Sequence, residues 1–563
     1  MVDTIDRSRV MGTRFWLLIA ALAAMSLASA SPAWAQGTPA AEHAAGAASR
    51  HEIAARGASP TTGASLAQRI SRIINRPQLK HALFGIEFYD LDRGKPMYEL
   101  NADKFFGPAS TTKLLTMGSA LALLGPDHRF TTSVYRNGAI THDGTLQGDL
   151  VLVASGDPNI SSRVQPDGTL AFENEDHTYD GSPDTKAVPG DPLVVLRGLA
   201  AQVKAKGINK IGGRVIVDDS LFAGGMQELG TGTVISSITV NDNIVDVTVQ
   251  PGASQGAPAI VSASPETPYV RFVNHVVTSA TASKAEVEMT PDIKQDDGTH
   301  VVTLTGSMPL RNASILYAYA VPEPKRFAEA AFAQALRDAG VGAKPAALTA
   351  FPDMALLAHA YTPDNAVAVH VSPPYAQEVK VTLKVSQNLH ASTTPFILGA
   401  TLGHARQHID QTGFDLEHRF LQSAGLPLGE ASQADGAGGS AHFTPSFMVS
   451  YLAFMAKQRF FQTFYSALPV LGRDGTLFNI QTRSPAAGKV HAKTGTWSEN
   501  DYLNRKAFVG AKALAGYTTN AAGHHIAFCI FLNNLSVASR EDVTNVAGQT
   551  VGEIAAAGYL SSR

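Results

Sequence analysis

The sequence predicts a layered α/β domain assembled from the two ends of the chain and interrupted by a long, strand-rich insertion. Three observations predict it. A helix, a pair of strands and a second helix can be read between residues 65 and 124. Three successive strands and a closing helix can be read between 487 and 557. Between these blocks the chain is dominated by short β-type segments. Strands at both chain ends make a single sheet if helices cover its two faces.

The first residues read as an export signal. Arg7, Arg9 and Arg14 precede an apolar run from Phe15 to Leu27, and Ala33-Trp34-Ala35 is a small-x-small cleavage site. Residues 1–35 are therefore expected to be a signal peptide, which places the mature protein in the periplasm. An uncleaved membrane anchor is the alternative, and peripheral membrane association stays open with it. The apolar core is short for a span, and no Cys follows it to carry a lipid. Residues 36–64 are rich in Ala, Gly, Thr and Ser and read as a disordered leader.

Residues 65–127 form the first part of the α/β domain. Ser65 to Asn75 carries apolar residues at helical spacing and is followed by Pro77. Ala82 to Asp90 alternates as a strand, Arg93-Gly94 turns, and Met97 to Leu100 returns. From Ser110 to Leu124 the chain is rich in Leu, Ala and Met, and Gly125-Pro126 stops it. Ser110 thus opens a buried helix, and Lys113, one turn on, shares its face. The helix dipole at that end favours developing negative charge.

Residues 128–352 read as one or two inserted β-rich domains. Gly148 to Val153, Gly213 to Asp218 and Ile244 to Val249 are strand-like, while Leu193 to Ala205 and Pro324 to Ala339 are helical. No catalytic residue is expected in the insert. Its acidic cluster Glu173-Asn174-Glu175-Asp176-His177 is expected to be a solvated loop rather than a metal site, because hard ions need converging oxygens. Residues 353–563 complete the α/β domain, with strands at Ala487 to Lys493, Ala507 to Thr518 and His525 to Asn533 and a helix from Arg540 to Ala557. His524-His525 reads as a hairpin turn.

Composition narrows the function. The chain has 563 residues, 44% of them hydrophobic, enough for several cores. A net charge of −3 argues against a nucleic-acid binder. The single Cys, Cys529, excludes an intramolecular disulfide and lies in an apolar run as a small buried hydrophobe. No metal or other cofactor is called for.

Three short motifs follow one another: Ser110-Thr111-Thr112-Lys113, Ser386-Gln387-Asn388 and Lys493-Thr494-Gly495-Thr496. Each alone has a bland reading, such as a helix N-cap for Ser110 or a strand-edge charge for Lys493. In this order they resemble the motifs of penicillin-binding proteins and serine β-lactamases. The long insert between the first two motifs is similar to that of the low-molecular-mass class C penicillin-binding proteins, which are D-alanyl-D-alanine carboxypeptidases and endopeptidases. Ser155-Gly156-Asp157-Pro158, Val217 to Phe222, Asp435-Gly436-Ala437-Gly438 and Asp474 to Leu477 also look like that family, so the resemblance spans about residues 65 to 563.

The resemblance implies a transpeptidase-like α/β fold, an antiparallel sheet flanked by helices with inserted β-rich domains. It also implies a serine peptidase acting on peptidoglycan stem peptides and cross-links, and binding of β-lactams. A serine hydroxyl needs a base, and Lys113 can be that base only when neutral. Burial and the nearby cation Lys493 would both lower its pKa. Ser386 is expected to relay a proton between Lys113 and the leaving amine, and Asn388 to hold Lys113. The oxyanion hole is expected to be the backbone N–H group of Ser110 and, as the resemblance implies, that of Thr496. Thr494, Gly495 and Thr496 form the substrate-binding edge, with Lys493 as the cation for the terminal carboxylate. Gln387 departs from the usual acid with little expected effect. Ala391 to Pro395 replaces the family's usual Ala-Glu pair, and Trp497 to Lys506 lengthens a connection beside the substrate. A β-lactamase or esterase on the same scaffold is the alternative function. A non-catalytic peptidoglycan binder is a third, disfavoured by the intact set of motifs.

Overall fold

The computed structural model describes residues 64–178, 184–280, 283–344 and 353–561. The expected signal peptide and the leader up to residue 63 lie outside the described residues. Among the described residues, no helix is long and apolar enough to cross a membrane.

Helix α1 (Leu66–Ile74) is capped by Ser65, whose side chain accepts from the Gln68 N–H while Gln68 answers the Ser65 N–H. Strands β1 (Leu83–Asp90) and β2 (Lys95–Leu100) pair antiparallel. A 3₁₀ turn, Ala109–Thr112, then leads into α2 (Lys113–Leu124), which is buried through Leu121.

The insert begins with β3 (Thr131–Ile140) and β4 (Thr145–Val153), followed by α3 (Val194–Ala205), β5 (Lys210–Ile211) and β6 (Val215–Asp218). Next come β7 (Ile244–Gln250), β8 (Ile260–Ser264), β9 (Val270–Ser279), β10 (Glu286–Met289), β11 (Ile293–Lys294), β12 (His300–Pro309), β13 (Ile315–Ala320) and α4 (Pro324–Asp338). They form separate small sheets, one of order β13-β7-β8 and one in which β12 joins β9, β10 and β11. The insert does not end at 352. Strand β14 (Ala366–Val371) pairs with β3, so the insert's first sheet closes on residues assigned from sequence to the second half of the α/β domain.

The chain returns through α5 (Tyr375–Val385), α6 (Asn388–Thr401) and α7 (Ile409–Ser423). A small hairpin, β15 (Ala431–Gln433) and β16 (Ala441–Phe443), and helices α8 (Pro445–Met455) and α9 (Phe461–Ala467) follow. Strands β17 (Val490–Asp501), β18 (Lys506–Thr519) and β19 (His525–Val537) are antiparallel. A π-helical turn, Val543–Gly548, precedes α10 (Gln549–Tyr559). β19 pairs with β1, giving one five-stranded sheet of order β17-β18-β19-β1-β2. One apolar layer joins that sheet to α1 and α10; another, containing Cys529, joins it to α2, α6 and α8. This is the expected two-faced cover.

β17 does not stop at Lys493 but runs to Asp501. The residues from Trp497 to Lys506 are therefore not a loose connection. They extend a hairpin whose tip exposes Tyr502 and Leu503.

Candidate active site

The three motifs meet where the 3₁₀ turn before α2, the α5–α6 junction and β17 converge. Ser110 lies in that turn and Lys113 is the first residue of α2, so one helical turn brings their side chains together. Lys113 Nζ is 2.7 Å from Ser110 Oγ and 2.6 Å from Asn388 Oδ1. It is also 3.5 Å from Ser386 Oγ and 3.3 Å from the Ala437 carbonyl oxygen.

Ser386 ends α5 in the left-handed region, φ 63°. A non-glycine residue there costs about 1 kcal/mol, and such strain is retained where surroundings enforce it. The turn aims Ser386 Oγ at both lysines; Lys493 Nζ lies 2.8 Å away. Gln387, expected to matter little, caps α6: its Oε1 accepts from the N–H groups of Leu389 (2.7 Å) and His390 (3.4 Å). The cap lets α6 start at Asn388 without an Ala-Glu opening.

Side chains alternate along β17. Lys493 and Gly495 face the turn that bears Ser110, while Thr494 and Thr496 face the other way. Gly495 is required by close approach: a Cβ there would stand 2.3 Å from the Pro108 carbonyl oxygen and 3.2 Å from the Ser110 nitrogen. Beside these residues opens a cavity of about 240 Å³, lined by Ser110, Ser386, Asn388, Thr494, Thr496 and Lys512, with Asn174 and Glu175 from the insert and Thr544 from the π turn.

Lys113 and Lys493 are wholly buried. Burial pushes the Lys113 ammonium down to about 7, against the opposing pull of the Glu228 and Asp435 carboxylates. Lys493 lies well below the ordinary lysine range, first through burial and then through the charges of Lys113 and Lys512. The expected direction holds for Lys113, but the expected second cause does not: the charge effect runs from Lys113 onto Lys493. A hydroxyl joined to an amine that readily sheds its proton is an activated nucleophile.

The insert, in which no catalytic residue is expected, reaches the wall of the site. The Gly475 N–H donates to Asn174 Oδ1 (2.7 Å), which ties the cluster at 173–177 to the cavity wall. The Glu228 carboxylate accepts from the N–H of Gly230 (2.7 Å) and of Gly232 (2.9 Å), closing a loop that rests on Asn388. A Cβ on Gly230 would come within 1.9 Å of Asn388 Nδ2. Asp435 closes a second loop, its Oδ1 accepting from Ala437 (2.8 Å), Gly438 (2.6 Å) and Gly439 (3.1 Å), and so sets the Ala437 carbonyl against Lys113.

The acidic cluster is not a solvated loop. Asp176 and His177 are buried in an ionic network. Arg163 Nη2 binds Asp176 Oδ1 (2.6 Å) and Asp242 Oδ2 (2.7 Å). His177 lies 2.8 Å from Asp242 Oδ2 and 2.9 Å from Asp246 Oδ1. His390, on α6 two residues after Asn388, reaches Asp242 Oδ1 at 2.9 Å and Glu378 Oε1 at 3.2 Å. Asp176, His177 and Asp242 converge closely enough to suggest a metal site. The Arg163 guanidinium already supplies the cation these carboxylates face, so the donor set does not fit one.

Sequence reasoning missed Lys512, Glu228, Asn174 and Glu175. Only Lys512 left a local signal, a lone cation in the apolar strand segment from Ala511 to Tyr517. The others depend on contacts between distant segments.

The family described as "D-Ala-D-Ala carboxypeptidase 3 (S13) family" matches residues 66–555. A D-alanyl-D-alanine carboxypeptidase from Actinomadura sp. (strain R39) is 28% identical over 496 residues, covering 84% of this chain and 81% of the relative. The D-alanyl-D-alanine carboxypeptidase DacB of Haemophilus influenzae is 24% identical over 471 residues, covering 81% and 86%. The crystal structure of penicillin binding protein 4 (dacB) from Haemophilus influenzae aligns with a TM-score of 0.66 at 21% identity, over 88% of this chain and 99% of that one. It shares the fold.

Proposed function

We propose, from the premise that this chain belongs to the D-Ala-D-Ala carboxypeptidase 3 (S13) family, that it is a serine D-alanyl-D-alanine carboxypeptidase and endopeptidase of peptidoglycan that works through an acyl-enzyme on Ser110. The observation that carries the assignment of residues is the position of Lys113 Nζ, 2.7 Å from Ser110 Oγ and 2.6 Å from Asn388 Oδ1, in a site that disfavours its charged form.

In this reading neutral Lys113 takes the Ser110 proton as Oγ attacks the carbonyl of the penultimate D-Ala. The oxyanion meets the N–H groups of Ser110 and Thr496; each such donor is worth roughly 3 kcal/mol in the transition state. Asn388 holds Lys113 in place. Ser386, 2.8 Å from Lys493 and 3.5 Å from Lys113, passes a proton to the departing amine. Water then hydrolyses the ester. A D-amino-acid cross-link is cut by the same steps, with the acceptor strand's amine as leaving group. A β-lactam presents a similar amide and is attacked by the same hydroxyl. The signal-like start supports action in the periplasm, where peptidoglycan lies, and peripheral attachment to the membrane is the accompanying proposal.

Labelled penicillin tests the assignment. It should form a slowly hydrolysed adduct mapped by mass to Ser110, and Ser110→Ala should abolish it. An adduct on another residue overturns the assignment, and fast turnover of penicillin would make the protein a β-lactamase instead.

A further inference from the structure

Lys493 is poorly placed to greet a substrate carboxylate. It is wholly buried, it sits on the opposite face of β17 from Thr494 and Thr496, and its donors are committed to Ser386 Oγ and the Thr494 carbonyl, both at 2.8 Å. Another cation stands where the hydroxyls are. Lys512 on β18 is paired in register with Thr496, so the two side chains share a face of the sheet. Its Nζ donates to Thr496 Oγ1 at 2.8 Å, and it lines the same cavity as Ser110, Thr494 and Thr496. Lys512 is 8% exposed. Among the described residues its recorded partner is that one hydroxyl, and no carboxylate forms an ion pair with it. A buried ammonium with so little compensation is costly unless an anion arrives to meet it.

We propose that Lys512 is the specificity-determining cation of this enzyme: with the hydroxyls of Thr494 and Thr496 it receives the C-terminal carboxylate of a D-Ala-D-Ala peptide, and the equivalent carboxylate of a penicillin, while Lys493 serves Ser386. The inference rests on the reading of Ser110 as nucleophile. It assigns carboxylate recognition to β18 rather than to the Lys-Thr-Gly motif alone. A preference for substrates whose leaving residue carries a free carboxylate follows from it, because a carboxamide offers this ammonium no charge to pair with.

The test uses the mature enzyme and two probes, a diacetyl-L-Lys-D-Ala-D-Ala peptide and the same peptide ending in a carboxamide. Lys512→Met keeps the aliphatic stem and removes the charge. It should lower kcat/KM on the free acid by about ten- to hundredfold and on the amide by less than about threefold, the difference being one charge-assisted contact. Lys512→Arg should recover most of the activity on the acid. Lys512→Gln stands in if the Met variant does not fold, as judged by circular dichroism. Equal losses on acid and amide, full activity of the Met variant on the acid, or an acid-selective loss in Lys493→Met in its place would overturn the proposal. Penicillin labelling of the same preparations separates the two claims. Absence of label on wild-type Ser110 sinks the acyl-enzyme reading, whereas label with equal losses on both peptides sinks the role of Lys512 only.

Discussion

Acylation of Ser110 should slow steeply as the medium is acidified, because its base must be neutral to act. Complete burial holds the Lys113 ammonium at about 7, with Glu228 and Asp435 opposing the shift. The neutral fraction is then about one half at pH 7, about one tenth at pH 6 and about one hundredth at pH 5, so the rate should fall about tenfold per unit on the acid side. Raising the pH from 5 to 7 has the opposite sign and should recover it. Lys113→Arg removes the titration altogether, since a guanidinium does not deprotonate. General-base assistance is worth about 10²- to 10⁴-fold, so the Arg variant should lose about 3 to 5 kcal/mol of transition-state stabilisation. The assay is the second-order rate constant for a fluorescent penicillin by stopped flow, at constant ionic strength across that range. The charged groups nearby are Lys493, Lys512, Glu228 and Asp435, and Lys512, held by burial at about 8, should bound the profile on its alkaline side. A profile flat below pH 7, or an Arg variant within tenfold of wild type, would refute Lys113 as the base.

Two further outcomes test the insert. Gly230→Ala pushes a Cβ to 1.9 Å from Asn388 Nδ2; displacing that amide should slow penicillin acylation by about ten- to hundredfold, and unchanged acylation would mean that the loop does not position Asn388. Asp242→Ala strips the shared carboxylate from Arg163, His177 and His390 and should cost about 3 to 5 kcal/mol in urea unfolding; a loss under about 1 kcal/mol would contradict the network's role. The same network sets a pH trend. His177 and His390 are raised to about 10 and about 9 by their carboxylate partners despite burial. Their contribution is full below about 6.5, the unfolded value, and is lost as pH rises from there through the folded values of about 9 and about 10, so the urea midpoint should fall between about pH 6.5 and 10 and level off above.

Much of the sheet was legible because its signals are local. The alternation read in β1, the apolar run of β19, the helical spacing of α1, and the stops at Pro77 and Gly125 need only neighbouring residues. The motif residues were legible too, since Ser110 and Lys113 meet within one helical turn and Lys493 to Thr496 within one strand. Where the reading failed, the deciding contact was distant. Asp176 and His177 look like polar loop residues until Arg163 and Asp242 are brought to them. Asp242 itself lies in three successive left-handed residues, Asn241, Asp242 and Asn243, a conformation that short polar side chains tolerate but do not announce. The insert's end at β14 depended on a partner strand more than two hundred residues earlier.

The sequence by itself determined the order of elements and the single sheet made from both chain ends, because periodicity is a short-range property of the chain, while its resemblance to the penicillin-binding proteins grouped the hydroxyls and amines of the three distant motifs. Only the tertiary structure decided what surrounds them: that Gly230 rests on Asn388, that Asp435 turns a carbonyl toward Lys113, and that Lys512, rather than Lys493, shares the face of Thr494 and Thr496. Burial, and with it the charge each lysine can carry, is set by segments far apart along the chain, and no local pattern encodes which of them will meet.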